Sequence, residues 1–592
     1  MPAPESELTM QTAATTGTKP RLLSRPLIGS LLPAAAFFAL YLLVLRPGYD
    51  VNDDVDIIGL ASGYFTGKPV PYLPNSNVLW GLLLGQFYAL PAGLNWEVLF
   101  FIAINFASVW VLLFIVFSRR SRTAQRLFGM TVVLVCDAYF LLNITFTTIS
   151  AFAALAGVCA LLMATAPQSR LRPGLLVAGA GLVLTASLIR LTPMLLVLLI
   201  ILPALLLSCR SFDIRKLIYA AGATGLLVLG CYALNLFFVG QSPAWSAFYK
   251  FNVARESLKD TPRMANIQDQ YRDIGWSKND LREFSGWFFP DKELYSTDKL
   301  QYLVTHVSNT QKSKLLTVTT FAGLLVSPPA LPYLLVILAG WLAMLLQGTL
   351  RRAVLPLSLL TATFLAVGVY VAWAMKLPYR VLLPGLAADA IFGLCILDWA
   401  GSGEAELHSR QSGHPYLSRI LSGSILLLLL AAAASVLVQS VLTTQINLQQ
   451  QTAYDRVLSD LNALQAQGRI DQNALILSPA YGIPLEWSDP LAMDFPRIRF
   501  LDMGWLTLSP AYDEMLREFA VPSIPAGFYQ KNNVYLMTRA DSLEGILEYI
   551  KEHEGVEVQA TGIYALPDTP FGAQYNSVHL YQLAQTTPAA GK

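Results

Sequence analysis

Leu27-Ile28-Gly29-Ser30-Leu31-Leu32-Pro33-Ala34-Ala35-Ala36-Phe37-Phe38-Ala39-Leu40-Tyr41-Leu42-Leu43-Val44-Leu45 carries no charge and runs straight into Arg46-Pro47-Gly48 and a knot of acids. As a helix rising about 1.5 Å per residue it reaches nearly 30 Å, the thickness of a hydrocarbon layer. Lys19, Arg21 and Arg25 precede it, the charge order of a secretory signal. The run is too long for a signal core and lacks a small-residue cleavage site, so it reads as an uncleaved first span. Similar apolar runs recur at 97–117, 127–143, 149–166, 174–190, 193–208, 217–239, 328–347, 353–375, 380–399 and 419–441. About eleven spans result by the length rule. The composition agrees: the 592 residues are 54% hydrophobic and 14% charged, against roughly 25% charged in a soluble domain. The expected fold class is an α-helical polytopic membrane protein with a C-terminal extracytoplasmic α/β domain.

Basic residues sit in short clusters between the runs: Arg119, Arg120 and Arg122, then Arg170 and Arg172, then Arg210, Arg215 and Lys216, then Arg351 and Arg352. Placed on the side of the N-terminus they satisfy the positive-inside rule, and a net charge of +2 distributed this way argues against a nucleic-acid surface. The pattern holds only if Asn77 to Leu90, too short to cross, lies along the membrane surface, and if Leu315 to Val326 is likewise juxtamembrane. Residues 1–26 are then a cytoplasmic tail and 27–443 the membrane domain, with external loops at 46–96 and 240–314. Residues 444–592 form an extracytoplasmic domain, and the protein sits in the cytoplasmic (inner) membrane. In that domain Tyr454, Leu458, Leu461 and Leu464 keep helical spacing, Ser542 to Glu552 is a second helix, and Asn533 to Met537 reads as a strand. Val578 and Leu580 alternate with His579 and Tyr581 as in a half-buried strand.

The chemistry concentrates in Tyr49-Asp50-Val51-Asn52-Asp53-Asp54-Val55-Asp56, four carboxylates within seven residues beside the membrane. Crowded acids repel one another and retain protons, which suits a general base; the same residues also suit a solvated acidic turn. An acidic pair in the first external loop, with short helices at Ile57 to Thr66 and Asn77 to Leu90 and a many-span body behind it, resembles the GT-C superfamily of membrane glycosyltransferases. That superfamily includes protein O-mannosyltransferases, aminoarabinose transferases of lipid A and oligosaccharyltransferase catalytic subunits. Asn52-Asp53-Asp54, Ser62-Gly63, Thr66-Gly67 and Asn95-Trp96 carry the likeness. The resemblance implies inverting transfer from a polyprenyl-phosphate-linked sugar to a glycan, lipid or protein acceptor. It makes Asp53 the base with Asp54 as the near alternative, and leaves Asp50 and Asp56 as bystanders.

A lipid-phosphate donor needs cations near the outer interface. Lys376, Tyr379 and Arg380 cluster between two spans and Arg190 lies between two others; phosphate binding and interfacial snorkelling both explain them. Inside the spans, Asp137 suits either a substrate cavity or an ion pair, with Arg190 as its partner, and Asp389 reads as structural. The 240–314 loop interleaves aromatics with charges, so Trp276 and Trp287 are candidates for a sugar cavity or for an interfacial belt. Cys136, Cys159, Cys209, Cys231 and Cys395 show no metal or disulfide spacing. Five scattered histidines suggest no metal cluster, and no nucleotide-binding, zinc-protease or serine-hydrolase signature is present. A divalent ion, Mg or Mn, on Asp53 and Asp54 is compatible with carboxylate chemistry. A lipid or polysaccharide transporter, which would place polar groups at the membrane midplane, and a non-catalytic membrane scaffold are the alternative readings.

Overall fold

The computed structural model describes residues 25–90, 93–119, 122–166, 173–208, 213–310, 313–347, 349–401, 415–479, 482–493, 495–567 and 575–586. Residues 1–24, and with them Lys19 and Arg21, lie outside these, as do Arg120, Arg170, Arg172, Cys209, Arg210, His408 and His414.

Helix α1 (Arg25–Leu43) leads into strand β1 (Gly48–Tyr49) and the short helices α2 (Asn52–Ser62) and α3 (Val78–Tyr88). Next come α4 (Trp96–Arg119), α5 (Thr123–Leu142), β2 (Asn143–Ile144), α6 (Phe146–Ala164), α7 (Pro173–Ile189), α8 (Leu191–Leu207) and α9 (Ile214–Gly240). The second loop folds into α10 (Pro243–Lys259), α11 (Arg263–Asn266), α12 (Gln270–Asp273), α13 (Lys278–Ser285) and α14 (Thr297–His306). The remaining apolar helices are α15 (Lys314–Leu325), α16 (Leu331–Gln347), α17 (Leu350–Ala374), α18 (Tyr379–Gly401) and the long α19 (Pro415–Ala466). Eight of the described helices are at least 18 residues long and apolar enough to cross a membrane. Helices α7, α8 and α16 have 17 residues each, at the lower limit of roughly 17 for a span, so all eleven expected runs are helices. The chain is a multi-pass membrane protein. α3 and α15, with 11 and 12 residues, are the two short pieces expected not to cross.

Helix α6 is the axis of the membrane domain, buried along nearly its whole length and packed by α4, α7, α8 and α18. Its approach to α7 depends on small residues: a Cβ at Gly157 would lie 2.8 Å from the Gly179 carbonyl oxygen, and one at Gly179 equally close to that of Gly157. Backbone contact of this kind replaces the hydrophobic drive that lipid does not supply. The described basic residues Arg119 and Arg122 stand between α4 and α5, and Arg215, Lys216 and Arg352 in the first turns of α9 and α17. All lie at helix ends opposite those that carry the two loops.

At the other end the loops and the C-terminal segment form one packed body. The C-terminal domain contains β3 (Leu475–Pro479), β4 (Arg499–Met503), α20 (Pro510–Glu518), α21 (Ile524–Gln530), β5 (Val534–Arg539), α22 (Ala540–Glu554), β6 (Val558–Ala565) and β7 (Val578–Gln585). The sheet order is β4-β3-β5-β7-β6, parallel through β5 and antiparallel beyond. Because side chains alternate along a strand, each strand feeds two layers. Leu475, Leu477, Leu501, Met503, Val534 and Leu536 pack with the aromatics of both loops, while Ile476, Phe500, Tyr535, Met537, Val578 and Leu580 pack with Tyr454, Val457, Leu461 and Leu464. Those last four belong to α19, whose 52 residues run unbroken from the membrane into the domain. The boundary expected near residue 443 therefore falls inside a helix, which couples the domain rigidly to its anchor.

Replacing Gly157 with leucine forces α6 and α7 apart. Overpacking of this kind costs roughly 1–3 kcal/mol, so the midpoint of thermal unfolding of the detergent-purified protein is expected to fall by several degrees, whereas leucine at Gly174, where a Cβ meets nothing, leaves it unchanged.

Candidate active site

Strand β1 pairs in parallel with β2, Gly48 with Asn143 and Tyr49 with Ile144. This short ladder clamps the start of the first loop to the α5–α6 connection and aims α2 along the membrane boundary. Gly63 ends α2 in the left-handed conformation (φ 80°), where a Cβ would strike the Lys68 backbone at 2.5 Å, so the chain can turn back there only with glycine.

Successive residues of α2 point about 100° apart, and its acids accordingly meet different surroundings. Asp50, just before the helix, accepts from the Tyr139 hydroxyl at 3.2 Å and pairs with Arg380 at 3.5 Å; burial raises its pKa, against the pull of Arg380. Asp54 is buried and accepts the Phe146 backbone N–H at 2.8 Å through Oδ1, which ties it to the first turn of α6. Burial pushes its pKa well up, opposed by that N–H. Asp56, fully buried, has no hydrogen-bond partner on either oxygen, and its pKa is pushed well up by burial and then by Asp502. Asp53 is half-buried, the least buried of the three acids of α2, with no hydrogen bond or salt bridge among the described residues.

Two guanidinium groups lie within the electrostatic reach of Asp53. Arg190, the N-cap residue of α8, donates through Nη1 to Thr147 Oγ1 at 2.5 Å and lies over the Phe146 ring at 4.6 Å. Its Nε–H is buried without an acceptor. Arg255, on α10, is held by Asn252 Oδ1 at 3.0 and 2.6 Å and sits 4.8 Å over the Trp287 ring; its Nη1 is likewise buried without an acceptor. Burial lowers the pKa of each; the negative charge of Asp53 opposes the shift at Arg190, and at Arg255 Glu256, Asp260 and then Asp53 oppose it. Both remain charged, as arginine does at any ordinary pH. Glu256 pairs with Arg255 Nη2 at 3.5 Å and lies within the electrostatic reach of Arg190. Lys259, one turn after Arg255, donates to the Phe284 and Ser285 carbonyls at 2.5 and 3.0 Å and lies 4.0 Å from the Trp287 ring centroid. Trp287 holds that position with φ 68°, a left-handed conformation that costs a bulky residue roughly 1–3 kcal/mol.

The residues singled out in the sequence separate accordingly. Asp53, Arg190, Arg380 and Trp287 converge on one region, with Tyr379 in the first turn of α18 beside Arg380. Lys376 is mostly exposed and pairs with Asp260 at 3.7 Å. Trp276 is packed between Phe284 and Tyr295 and donates its indole N–H to the Leu294 carbonyl at 2.8 Å; it belongs to the aromatic core rather than to a cavity wall. Asp137 is fully buried between the spans with neither oxygen hydrogen-bonded and forms no pair with Arg190, which bonds Thr147 instead. Asp389 accepts from Thr361 at 3.1 Å. Asp53 and Asp54 present different faces, Asp54 turned onto Phe146. The one three-residue grouping of metal-ligand type among the described residues is Asp280, Glu552 and His553, on the contact between α13 and α22.

Sequence reasoning did not single out Arg255, Glu256 or Lys259, although Arg255 and Lys259 stand four apart, one helical turn, within an aromatic-rich stretch. Glu486 and Asp502, which reach α2 from the C-terminal domain, carry no local signal at all.

No family model matches the chain, and no curated protein matches it. Among solved structures, ArnT from Cupriavidus metallidurans in the apo state aligns over 94% of this chain and 98% of its own, at 11% identity and a TM-score of 0.35. The same protein bound to undecaprenyl phosphate aligns over 94% and 97%, at 10% identity and a TM-score of 0.35. Similarity at that level carries no argument about activity.

Burial, then Glu486, pushes Asp502 up to about 7 from the model-compound value near 3.9. Below the lower value folded and unfolded chains are both protonated; between the two only the folded chain holds the proton, so stability falls as pH rises, by up to roughly 1.4 kcal/mol per unit. The unfolding midpoint is expected to drop between pH 5 and 7 in the wild type. Asp502→Asn should flatten that slope in parallel thermal scans.

Proposed function

We propose that the chain is an inverting membrane glycosyltransferase that moves a sugar from a polyprenyl-phosphate-linked donor to an envelope glycan, lipid or protein acceptor. The loops and C-terminal domain face the extracytoplasmic side. The observation that carries this reading is the pair of buried guanidinium N–H groups, Arg190 Nε and Arg255 Nη1, both without an acceptor and both within the field of an unpaired Asp53. A buried donor left unmade is costly, and two on fixed cations describe a site for an anion with several oxygens. A phosphate ester meets that description. In the reaction Asp53 takes the proton of the acceptor hydroxyl, the acceptor oxygen attacks the anomeric carbon from the face opposite the phosphate, and the bond from carbon to phosphate oxygen breaks. The phosphate leaves with the electron pair, and Arg190 and Arg255 stabilise its growing charge. Trp287 and Phe146 cover the hydrophobic sides of the two guanidiniums and lower the local dielectric. Asp54 serves by fixing α2 to α6, and Asp50 by holding Arg380.

The test is transfer of labelled sugar from a panel of polyprenyl-phosphate donors by the purified protein in lipid. Asp53→Asn is expected to reduce kcat by about 10²–10⁴, the range for general-base removal, with normal thermal stability. Arg255→Gln should lower kcat by roughly 10²–10³ and raise the KM for donor. Wild-type turnover by Asp53→Asn would remove the base from the mechanism and the reading with it.

A further inference from the structure

We propose that the C-terminal domain is a working part of this site: Asp502, through Asn52 and Asp56, positions the first turn of α2 and thereby Asp53. The inference takes its meaning from the proposed function but stands on separate geometry. A helix start leaves four backbone N–H groups unbonded, usually relieved by a capping side chain. The N-cap residue of α2 is Val51, with no side chain able to do so. The constraint comes from another domain instead, where Asn52 Nδ2 donates to Asp502 Oδ2 at 3.2 Å across 450 residues of sequence.

One turn along the same face stands Asp56, fully buried and hydrogen-bonded to nothing. The groups that face it come from several elements. Asp502 closes in from β4 and Glu486 from the 3-10 turn Leu485–Trp487, the latter accepting the Tyr575 hydroxyl at 2.6 Å. Trp505, just past β4, and Tyr512 of α20 bring an indole N–H and a hydroxyl that are buried without a hydrogen-bond partner. No basic residue among the described residues forms an ion pair with Asp56, Glu486 or Asp502. Three carboxyl groups cannot all ionise in such a place, so the contact between α2 and the domain depends on at least one of them keeping its proton. Its charge state is felt at Asp53, which lies between Asn52 and Asp54 and acts electrostatically on all three acids. Asp502 is therefore a positioning residue whose protonation links the orientation of the base to pH.

The experiment uses full-length protein in lipid nanodiscs and reads two quantities, hydrogen exchange over residues 52–62 and transfer kinetics across pH. Asp502→Ala is expected to speed exchange in that segment by about tenfold or more, as expected for a local opening. It should also lower kcat about tenfold while donor KM stays within about twofold, an interaction expressed in the transition state rather than in binding. The wild type is expected to lose kcat as pH rises and Asp502 deprotonates; Asp502→Asn, a neutral isostere that still accepts from Asn52, should recover both exchange and kcat and abolish that decline. Asn52→Ala removes the same hydrogen bond without disturbing the sheet and should reproduce the loss of kcat should the alanine at 502 fold poorly. Unchanged exchange over 52–62 in Asp502→Ala, or a lowered kcat with a wild-type pH profile in every variant, overturns the inference. A wild-type protein that transfers no sugar from any donor overturns the functional reading alone, because the exchange measurement still decides the positioning.

Discussion

Taking an ionised carboxylate out of water costs several kcal/mol unless a cation or strong hydrogen bonds replace the lost solvation. α2 brings Asp53, Asp54 and Asp56 into less than two turns, with Asp50 just ahead, and the architecture around it can be understood as separate answers to that cost. Asp50 receives Arg380 and Tyr139. Asp54 receives a backbone N–H from the start of α6, where the helix dipole also favours negative charge. Asp56 is met by acids, so protons take the place of cations. Asp53 is half-buried and receives no such partner among the described residues, within the electrostatic reach of Arg190 and Arg255.

Each answer is supplied by a different part of the chain, so α2 is also the place where the parts are joined. The β1–β2 ladder secures one end of the first loop to the membrane domain, α10 presents Arg255 from the second loop, and β4 presents Asp502 from a segment 450 residues away. The continuous α19 prevents the sheet from wandering from its anchor, since a helix of that length bends only gently without a kink. A side-chain cluster assembled from so many elements needs a rigid frame, and the α6–α7 glycine contact with the two-sided sheet provides one.

The cations show how tertiary context reassigns roles that composition leaves equal. Lys376 and Arg380 stand four apart near one span, yet one is exposed on Asp260 and the other is half-buried on Asp50. Lys259 resembles a phosphate ligand in its burial and its place over Trp287, but its ammonium is already occupied by two carbonyls at the end of α13. What distinguishes Arg190 and Arg255 is the planar fork of five donors, which leaves N–H groups over after the structural bonds are made.

The membrane class, the eleven apolar helices, the two short helices beside them and the mixed character of the C-terminal segment are legible in the amino-acid order alone. These follow from length, periodicity and the expense of charge in hydrocarbon, all of which are properties of contiguous residues. That order also locates the acidic knot, because four carboxylates in seven residues are visible without a fold. Folding sets the rest: which of those acids is free, that Asp137 stays apart from Arg190, that Trp276 is core while Trp287 faces Arg255, and that Asp502 reaches Asn52. Each depends on side chains far apart in sequence meeting at hydrogen-bonding distance, and burial, which sets the energy of a charge, is a property of the folded neighbourhood rather than of the residue.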